Sequence, residues 1–221
     1  ILMDEWESKI KAIVESTWKT DVNSLSGVPS WMLVLIKAIL QKTGSEYLTD
    51  VWPNMEVFFH GGISFEPYRD QYKALIPSDR MHYMETYNAS EGFFGLQDNP
   101  EEHSLLLMID YSVFYEFIPI NEVGEEHPTV LPLEAVEVGK NYAMVITTSG
   151  GLWRYQIGDT VRFTSLYPHK FVISGRTKNF INAFGEELMV DNADKAISRV
   201  CRQTGAKVKE YTAAPLFMLD K

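Results

Sequence analysis

One candidate site lies in residues 87–92, where a predicted strand ends in small and polar residues, Tyr-Asn-Ala-Ser-Glu-Gly. Strand ends of this kind bind ligands in α/β sheets, and this one could direct backbone N–H groups and the Ser90 hydroxyl at an anion. The Glu91 carboxylate could hold Mg²⁺, which prefers oxygen ligands, and the Tyr87 ring could cover a flat base. An ordinary turn with a solvated glutamate and a core tyrosine explains the same residues.

A second candidate is Asp159, within Ile-Gly-Asp-Thr at 157–160. The glycine predicts a hairpin turn that joins a strand at 153–157 to another at 160–165. A carboxylate at such a turn can accept hydrogen bonds from the two vicinal hydroxyls of a ribose, as it does in dinucleotide-binding folds. Taken without the other motifs, a turn-forming aspartate is the better interpretation.

A third candidate is the Gly-Arg-Thr-Lys segment at 175–178, which follows a predicted strand and precedes a change of architecture. It could be a hinge at which Arg176 contacts phosphate or ribose through two hydrogen bonds. An ordinary linker has the same composition. His60 has no second His, Cys or carboxylate nearby at a metal-binding spacing, so we interpret it as a core or turn residue.

Helices and strands alternate in the part of the chain that precedes and contains the first candidate. Apolar residues recur every three or four positions over 6–18, which predicts a helix, and a second, largely buried helix is predicted at 31–42. A strand at 55–60, the glycines at 61 and 62 and a helix at 66–75 form a strand–turn–helix unit. The strand at 81–87 then leads into the loop that carries Glu91.

The remainder of the chain is mostly β. Short apolar runs bounded by turn residues predict strands at 105–110, 115–120, 141–147, 153–157, 160–165 and 170–174. A strand at 179–182, a helix from 191 to about 205 and a last strand at 207–212 complete the prediction. Aromatic residues from both parts of the chain could line an apolar substrate pocket, although such residues mainly build cores: Phe58, Phe59, Phe93, Phe94, Tyr111, Phe114, Tyr115 and Phe117.

Composition excludes several classes of protein. The 221 residues include 20 Lys and Arg against 30 Asp and Glu, a net charge of −10, so we expect no nucleic-acid partner. The most apolar stretch, 31–40, contains Lys37 and is shorter than the roughly 20 residues of a membrane-spanning helix. The single cysteine, Cys201, cannot form an internal disulfide, which fits a cytoplasmic protein. The sequence contains no P-loop, dinucleotide fingerprint or nucleophile elbow.

Taken together and in order, five segments resemble the auxin-responsive acyl-amido synthetase family, which belongs to the adenylate-forming group of enzymes. Its plant members join plant hormones and benzoate-type acids to amino acids. The segments are Trp52-Pro53-Asn54, Gly61-Gly62-Ile63-Ser64, Tyr87-Asn88-Ala89-Ser90-Glu91-Gly92, Trp153-Arg154-Tyr155-Gln156-Ile157-Gly158-Asp159 and Gly175-Arg176-Thr177. The resemblance covers nearly the whole chain.

The resemblance implies an α/β fold with mixed α+β character: a mixed sheet with flanking helices and a β-rich subdomain. By this reading, residues 1–174 are the later half of the large domain, 175–178 are a hinge, and 179–221 begin a small C-terminal domain. The family also carries a Ser/Thr/Gly-rich phosphate loop and runs to more than twice this length, and this sequence has no such loop. We therefore expect the isolated chain to be a poor catalyst.

The implied reaction uses ATP and Mg²⁺ to adenylate a carboxylic acid and then transfers the acyl group to an amine, in this family an amino acid. The resemblance also implies a role for each motif residue. Gly61, Gly62 and Ile63 would approach the adenine, and Tyr87 would stack on it. Ser90 would meet the α-phosphate region and Glu91 would hold Mg²⁺, while Asp159 would bind the ribose hydroxyls and Arg176 would contact ribose or phosphate. Ser90 and Glu91 would be catalytic. A nucleotide-binding module without catalysis, and less plausibly a hydrolase that pairs Glu91 with Asp159, remain alternatives.

Overall fold

The computed structural model describes residues 5–177, 181–183, 186–188, 190–208 and 211–212. The chain forms two compact units: the first comprises Ile1–Thr86 with Cys201–Glu210, and the second comprises Tyr87–Val200 with Tyr211–Lys221. The domain boundary that we predict at 175–178 does not coincide with the division between these two units, and it stays a prediction. Lys178, the weaker hinge candidate, lies outside the described residues.

The first unit combines helices with parallel strands. Its elements are α1 (Trp6–Thr17), β1 (Ser24–Gly27), α2 (Pro29–Thr43), α3 (Leu48–Val51), β2 (Val57–His60), α4 (Arg69–Leu75) and the beginning of β3 (His82–Ala89). β2 pairs in parallel with β1 on one side and with β3 on the other. Three of the four helices coincide with predicted ones. β1 was not predicted, because its four residues include two serines and a glycine and resemble a loop.

Local sequence explains where α2 begins and ends. Pro29 occupies the first turn, where the missing N–H costs no hydrogen bond, and Gly44 ends the helix with φ 73°. Phe58 lies in the hydrophobic core of this unit, and its ring stacks on that of Tyr72 with 5.0 Å between the ring centroids. The Tyr72 hydroxyl donates to the carbonyl of Pro29 at 2.8 Å, which ties α4 to the start of α2.

The second unit is an antiparallel sheet. After the end of β3 its strands are β4 (Gly92–Gln97), β5 (Leu105–Leu107), β6 (Val113–Pro119), β7 (Leu131–Pro132), β8 (Asn141–Thr148), β9 (Tyr155–Leu166) and β10 (His169–Arg176). From β4 onward the order is β4-β5-β10-β9-β8-β6-β7. The core of this unit contains Phe94, Phe117, Phe163 and Phe171, each at most 1% exposed. β11 (Ile181–Ala183) and β12 (Glu186–Leu188) form a separate pair, followed by α5 (Val190–Thr204).

The predicted mixed α/β fold class is confirmed, and several of the strand predictions need correction. The two strands predicted at 153–157 and 160–165 are one strand, β9, because the glycine at 158 forms a bulge and not a turn. β4 was missed, since its two glycines at 92 and 95 resemble a loop. Of the last predicted strand, 207–212, the described residues 207, 208, 211 and 212 are in neither strand nor helix. None of the helices within the described residues is both long and apolar enough to cross a membrane.

Candidate functional site

Ser90 and Glu91 form a two-residue turn between β3 and β4. Ser90 is exposed and Glu91 is half-buried, so both side chains are accessible at the tip of the turn. The next residue, Gly92, has no room for a side chain, because a Cβ atom there would lie 2.9 Å from the ring of the buried Phe94. The polar loop that we predicted over residues 88–92 is therefore a tight turn of two residues, because β3 extends to Ala89.

Asp159 lies in a bulge of β9. Opposite β8, Ala143 pairs with Thr160 and Val145 pairs with Gln156, so that three residues of β9, 157–159, face a single residue of β8. Gly158 adopts φ 88°, a conformation that glycine takes without steric cost. Bulges bend a strand and redirect a side chain, and they are common beside active sites. The expected hairpin turn at 157–160 is thus wrong, yet the glycine still determines where Asp159 points.

Both oxygens of the Asp159 carboxylate accept hydrogen bonds. The Tyr87 hydroxyl donates to Oδ2 at 2.5 Å, and Arg176 Nε donates to Oδ1 at 3.0 Å. The Asp159 side chain is 11% exposed, whereas that of Arg176 is 67% exposed. Three of the residues predicted for the site, which are separated by up to 89 positions in the sequence, therefore meet at one carboxylate within the second unit.

Tyr87 is a core residue whose hydroxyl contacts Asp159. It is 6% exposed, and its ring lies 5.1 Å from that of Phe94 and 6.1 Å from that of Phe171. Burial raises the pKa of the Tyr87 phenol far above its ordinary value, and the negative charge of Asp159 and the hydrogen bond to it raise that pKa further. Glu91 acts on the phenol in the same direction, which places its charge within electrostatic range of Tyr87. The phenol consequently keeps its proton and donates a hydrogen bond to the carboxylate.

The end of β10 is bonded to the bulge of β9. Arg176 lies directly opposite Asp159 in the register of the two strands, and Thr177 N donates to the carbonyl of Gly158 at 2.9 Å. Ser174 occupies a second bulge, on β10, where its hydroxyl donates to Thr160 Oγ1 at 3.0 Å. Ser174 and Thr160 are 2% and 0% exposed, so this pair is a buried polar contact beside Asp159. Sequence analysis missed both, because only the register of β9 and β10 brings them together.

Gly61, Gly62 and Ile63 lie at the end of β2, in the first unit. A Cβ atom on Gly61 would be 2.4 Å from the carbonyl oxygen of Thr86, so close packing of β2 against β3 requires glycine. Gly62 has φ 83°, and Ile63 is 38% exposed. Their expected approach to an adenine stays a prediction.

His60 precedes these glycines and is 3% exposed, which confirms its interpretation as a core residue. Its ring stacks on Phe65 at 4.2 Å, and Nδ1 has no hydrogen-bond partner among the residues that the structure describes. Burial, reinforced by the positive charge of Arg69, lowers the pKa of His60 to about 3.

The predicted Mg²⁺ contact depends on Glu91. Within the described residues, no group of three or more His, Cys, Asp or Glu side chains could hold a metal ion by itself. A magnesium ion bound together with a nucleotide takes only one or two carboxylates and completes its shell with phosphate oxygens and water. A single accessible carboxylate beside the Ser90 hydroxyl fits that requirement.

The aromatic residues that were expected to form either core or pocket differ in their exposure. Phe58, Phe94, Tyr115 and Phe117 are buried, whereas Tyr111 and Phe114 are 56% and 60% exposed. Phe114 lines an open depression of about 520 Å³ together with Thr147 and Trp153. None of the predicted site residues lines this depression.

Two sequence models of one family match most of the chain. The GH3 family N-terminal domain matches residues 1–81, and the GH3 family central domain matches residues 106–176. The indole-3-acetic acid-amido synthetase GH3.4 of Arabidopsis thaliana is 31% identical over 223 residues, which cover 91% of this chain and 36% of that protein. The chain spans about a third of the length of the curated relatives that it matches.

Solved structures show the same fold. The GH3.15 acyl acid amido synthetase superposes with a TM-score of 0.66 over 90% of this chain and 45% of that one, at 18% identity. A 2-hydroxyisobutyryl-CoA ligase in complex with 2-HIB-AMP superposes with a TM-score of 0.62 over 86% of this chain and 40% of that one, at 13% identity.

Proposed function

The chain belongs to the GH3 family, and from that premise we propose that it is part of an ATP-dependent acyl acid–amido synthetase. In the proposed reaction, a carboxylate oxygen of the acid attacks the α-phosphorus of ATP and pyrophosphate leaves. The nitrogen of an amino acid then attacks the acyl carbon, an amide bond forms and AMP departs. The substrates are ATP, a carboxylic acid and an amino acid, and we propose a cytoplasmic location without nucleic-acid or membrane partners.

The observation that carries this proposal is the arrangement at Asp159. Among the described residues, each of its oxygens accepts one hydrogen bond, from Tyr87 or from Arg176, which leaves each oxygen a lone pair for a further donor. The two vicinal hydroxyls of a ribose are donors whose number and spacing match the two carboxylate oxygens. We propose that Asp159 binds the ribose and that Arg176, which is mostly exposed, reaches the ribose or the phosphate beside it.

Ser90 and Glu91 would act on the reacting phosphate. Negative charge develops around the α-phosphorus during attack, and fixed donors and positive charge placed there lower the barrier. The Ser90 hydroxyl would donate to the phosphate oxygens, and Glu91 would hold Mg²⁺. When bound, the metal ion would neutralise part of the phosphate charge. We further propose that Gly61, Gly62 and Ile63 approach the adenine and that Tyr87 borders it.

Acid-dependent exchange of labelled pyrophosphate into ATP tests the proposal in the full-length protein. We expect exchange only when a suitable carboxylic acid is present, because pyrophosphate release requires the acid as nucleophile. A panel of aromatic, indole and aliphatic acids covers the acid classes. If no acid supports exchange, the synthetase function is wrong.

A nucleotide-binding module without catalysis is the second candidate, because the hydrogen bonds at Asp159 would serve nucleotide binding whether or not a reaction follows. That candidate predicts binding of AMP, measured by calorimetry, together with no exchange in the full-length protein. The isolated chain, which we propose to be a poor catalyst, should show no exchange under either candidate. Measuring both binding and exchange in the full-length protein therefore separates the two.

A further inference from the structure

We propose that Tyr87 is a positioning residue: its phenolic O–H holds the Asp159 carboxylate in the orientation that receives the two ribose hydroxyls. This inference rests on the ribose contact proposed above. It assigns the function of Tyr87 to its hydroxyl, whereas the resemblance to the family assigns that function to its ring. The two assignments predict different results for the same substitution.

The two partners of Asp159 differ in how firmly they can hold it. Arg176 is 67% exposed in its side chain, and an ion pair in such a position is weakened by solvent and by the freedom of the long side chain. Tyr87 is 6% exposed and contacts Oδ2 at 2.5 Å. The orientation of the carboxylate is therefore determined mainly by the tyrosine, and Arg176 remains available to move toward a ligand.

The packing of Tyr87 makes its hydroxyl a fixed point. Phe94 and Phe171 approach its ring at 5.1 and 6.1 Å, at angles of 59° and 66° to its plane. A ring held by two core phenylalanines cannot change rotamer without displacing them. With 6% of the residue exposed, little of the ring surface is available to cover an adenine.

A fixed carboxylate is needed because the approach to Asp159 is narrow. Only 11% of its side chain is exposed, so a ligand can reach it from few directions. Rotation of the carboxylate by a few tens of degrees would turn the free lone pairs of both oxygens away from that opening. The buried pair of Ser174 and Thr160 holds the backbone beside Asp159, and Tyr87 holds its side chain.

The test compares AMP with 2′,3′-dideoxy-AMP, which lacks both ribose hydroxyls, as ligands of the full-length protein. Wild type should bind AMP more tightly than the dideoxy analogue. Tyr87→Phe keeps the ring and removes the O–H, so it should lower the affinity for AMP about tenfold while leaving the affinity for the analogue nearly unchanged. Loss of a purely structural contact would lower both affinities together.

Tyr115→Phe is the matched control. Tyr115 is 4% exposed in the same core, close to Phe94, and its hydroxyl donates to the carbonyl of Met108 at 3.1 Å. Its substitution removes an equally buried hydroxyl that has no contact with Asp159, and the ratio of the two affinities should stay at the wild-type value.

Three results would overturn the inference. One is a wild-type protein that binds AMP and the analogue equally, and this result stands even if Tyr87→Phe does not fold. Another is a Tyr87→Phe protein that keeps the wild-type ratio, as adenine stacking by the ring predicts. The last is a Tyr115→Phe protein that lowers the ratio as much as Tyr87→Phe. Failure of the synthetase proposal can be distinguished from failure of this inference, because only the former predicts that the wild-type protein shows no acid-dependent exchange.

Discussion

Arg176 lies directly opposite Asp159 on the neighbouring strand and donates a hydrogen bond from Nε to Oδ1 at 3.0 Å. The carboxylate is nearly buried, whereas the guanidinium is largely in solvent. A pair of this kind contributes little to folding, but it keeps a cation at the rim of the site that we propose for an anionic nucleotide.

Replacing Arg176 should therefore affect binding more than stability. We expect Arg176→Gln to change the free energy of unfolding by less than about 1 kcal/mol, because the side chain is exposed. The affinity for AMP, measured by calorimetry in the full-length protein, should fall severalfold. Lys140→Gln breaks another exposed ion pair, with Glu137, and should alter neither quantity. Unchanged AMP affinity in Arg176→Gln would refute the proposed contact.

Glu91→Ala should slow adenylation with little effect on folding. Loss of one electrostatic contact to a transition state costs about 2–4 kcal/mol, which corresponds to a roughly 30- to 900-fold lower rate of acid-dependent pyrophosphate exchange. Glu134→Ala, at an exposed position of the same unit, is the control and should exchange at the wild-type rate. Undiminished exchange in Glu91→Ala would show that the Mg²⁺ assignment is wrong.

Gly61→Ala should destabilise the first unit. The new Cβ would lie 2.4 Å from the Thr86 carbonyl oxygen, and a backbone atom within paired strands cannot rotate away. We expect a loss of about 1–3 kcal/mol in the free energy of unfolding, measured in urea. Gly150→Ala is the matched control, because its Cβ would find no atom closer than 3.6 Å. Equal stability of the two variants would contradict the close approach of β2 to β3.

His60 should make the protein less stable in acid. Its pKa is about 3 in the folded protein, against an ordinary value of 6.5. As the pH falls from 6.5 toward 3, the unfolded chain binds a proton at this residue and the folded chain does not, so the free energy of unfolding declines. His60→Phe, which preserves a ring on Phe65, should flatten this part of the pH profile.

His82→Gln provides the comparison for His60→Phe, because His82 is exposed. Its unfolding free energy should keep the wild-type dependence on pH, measured by urea denaturation at intervals between pH 7 and 4. A His60→Phe profile that is parallel to wild type would show that the neutral, buried state of His60 does not contribute to acid sensitivity.

Much of the fold could be predicted because its signals are local. Each of these signals determines the structure of residues close to it in the sequence. They include the apolar period of α1, the proline and glycine at the two ends of α2, and the glycines after β2. β1 and β4 were missed for the same reason, since short strands rich in serine or glycine become strands only when a neighbour supplies hydrogen bonds. The site residues Tyr87, Asp159 and Arg176 were predicted individually from their types and motifs.

The sequence by itself determined which residues carry usable chemistry, a phenol, a carboxylate and a guanidinium, and that a glycine at 158 would interrupt an extended strand. Only the tertiary structure decided that this interruption is a bulge, that β10 places Arg176 opposite Asp159, and that the Tyr87 hydroxyl reaches the same carboxylate. The physical reason is that a glycine with positive φ suits a turn and a bulge equally. The choice between them depends on strand partners that are distant in sequence.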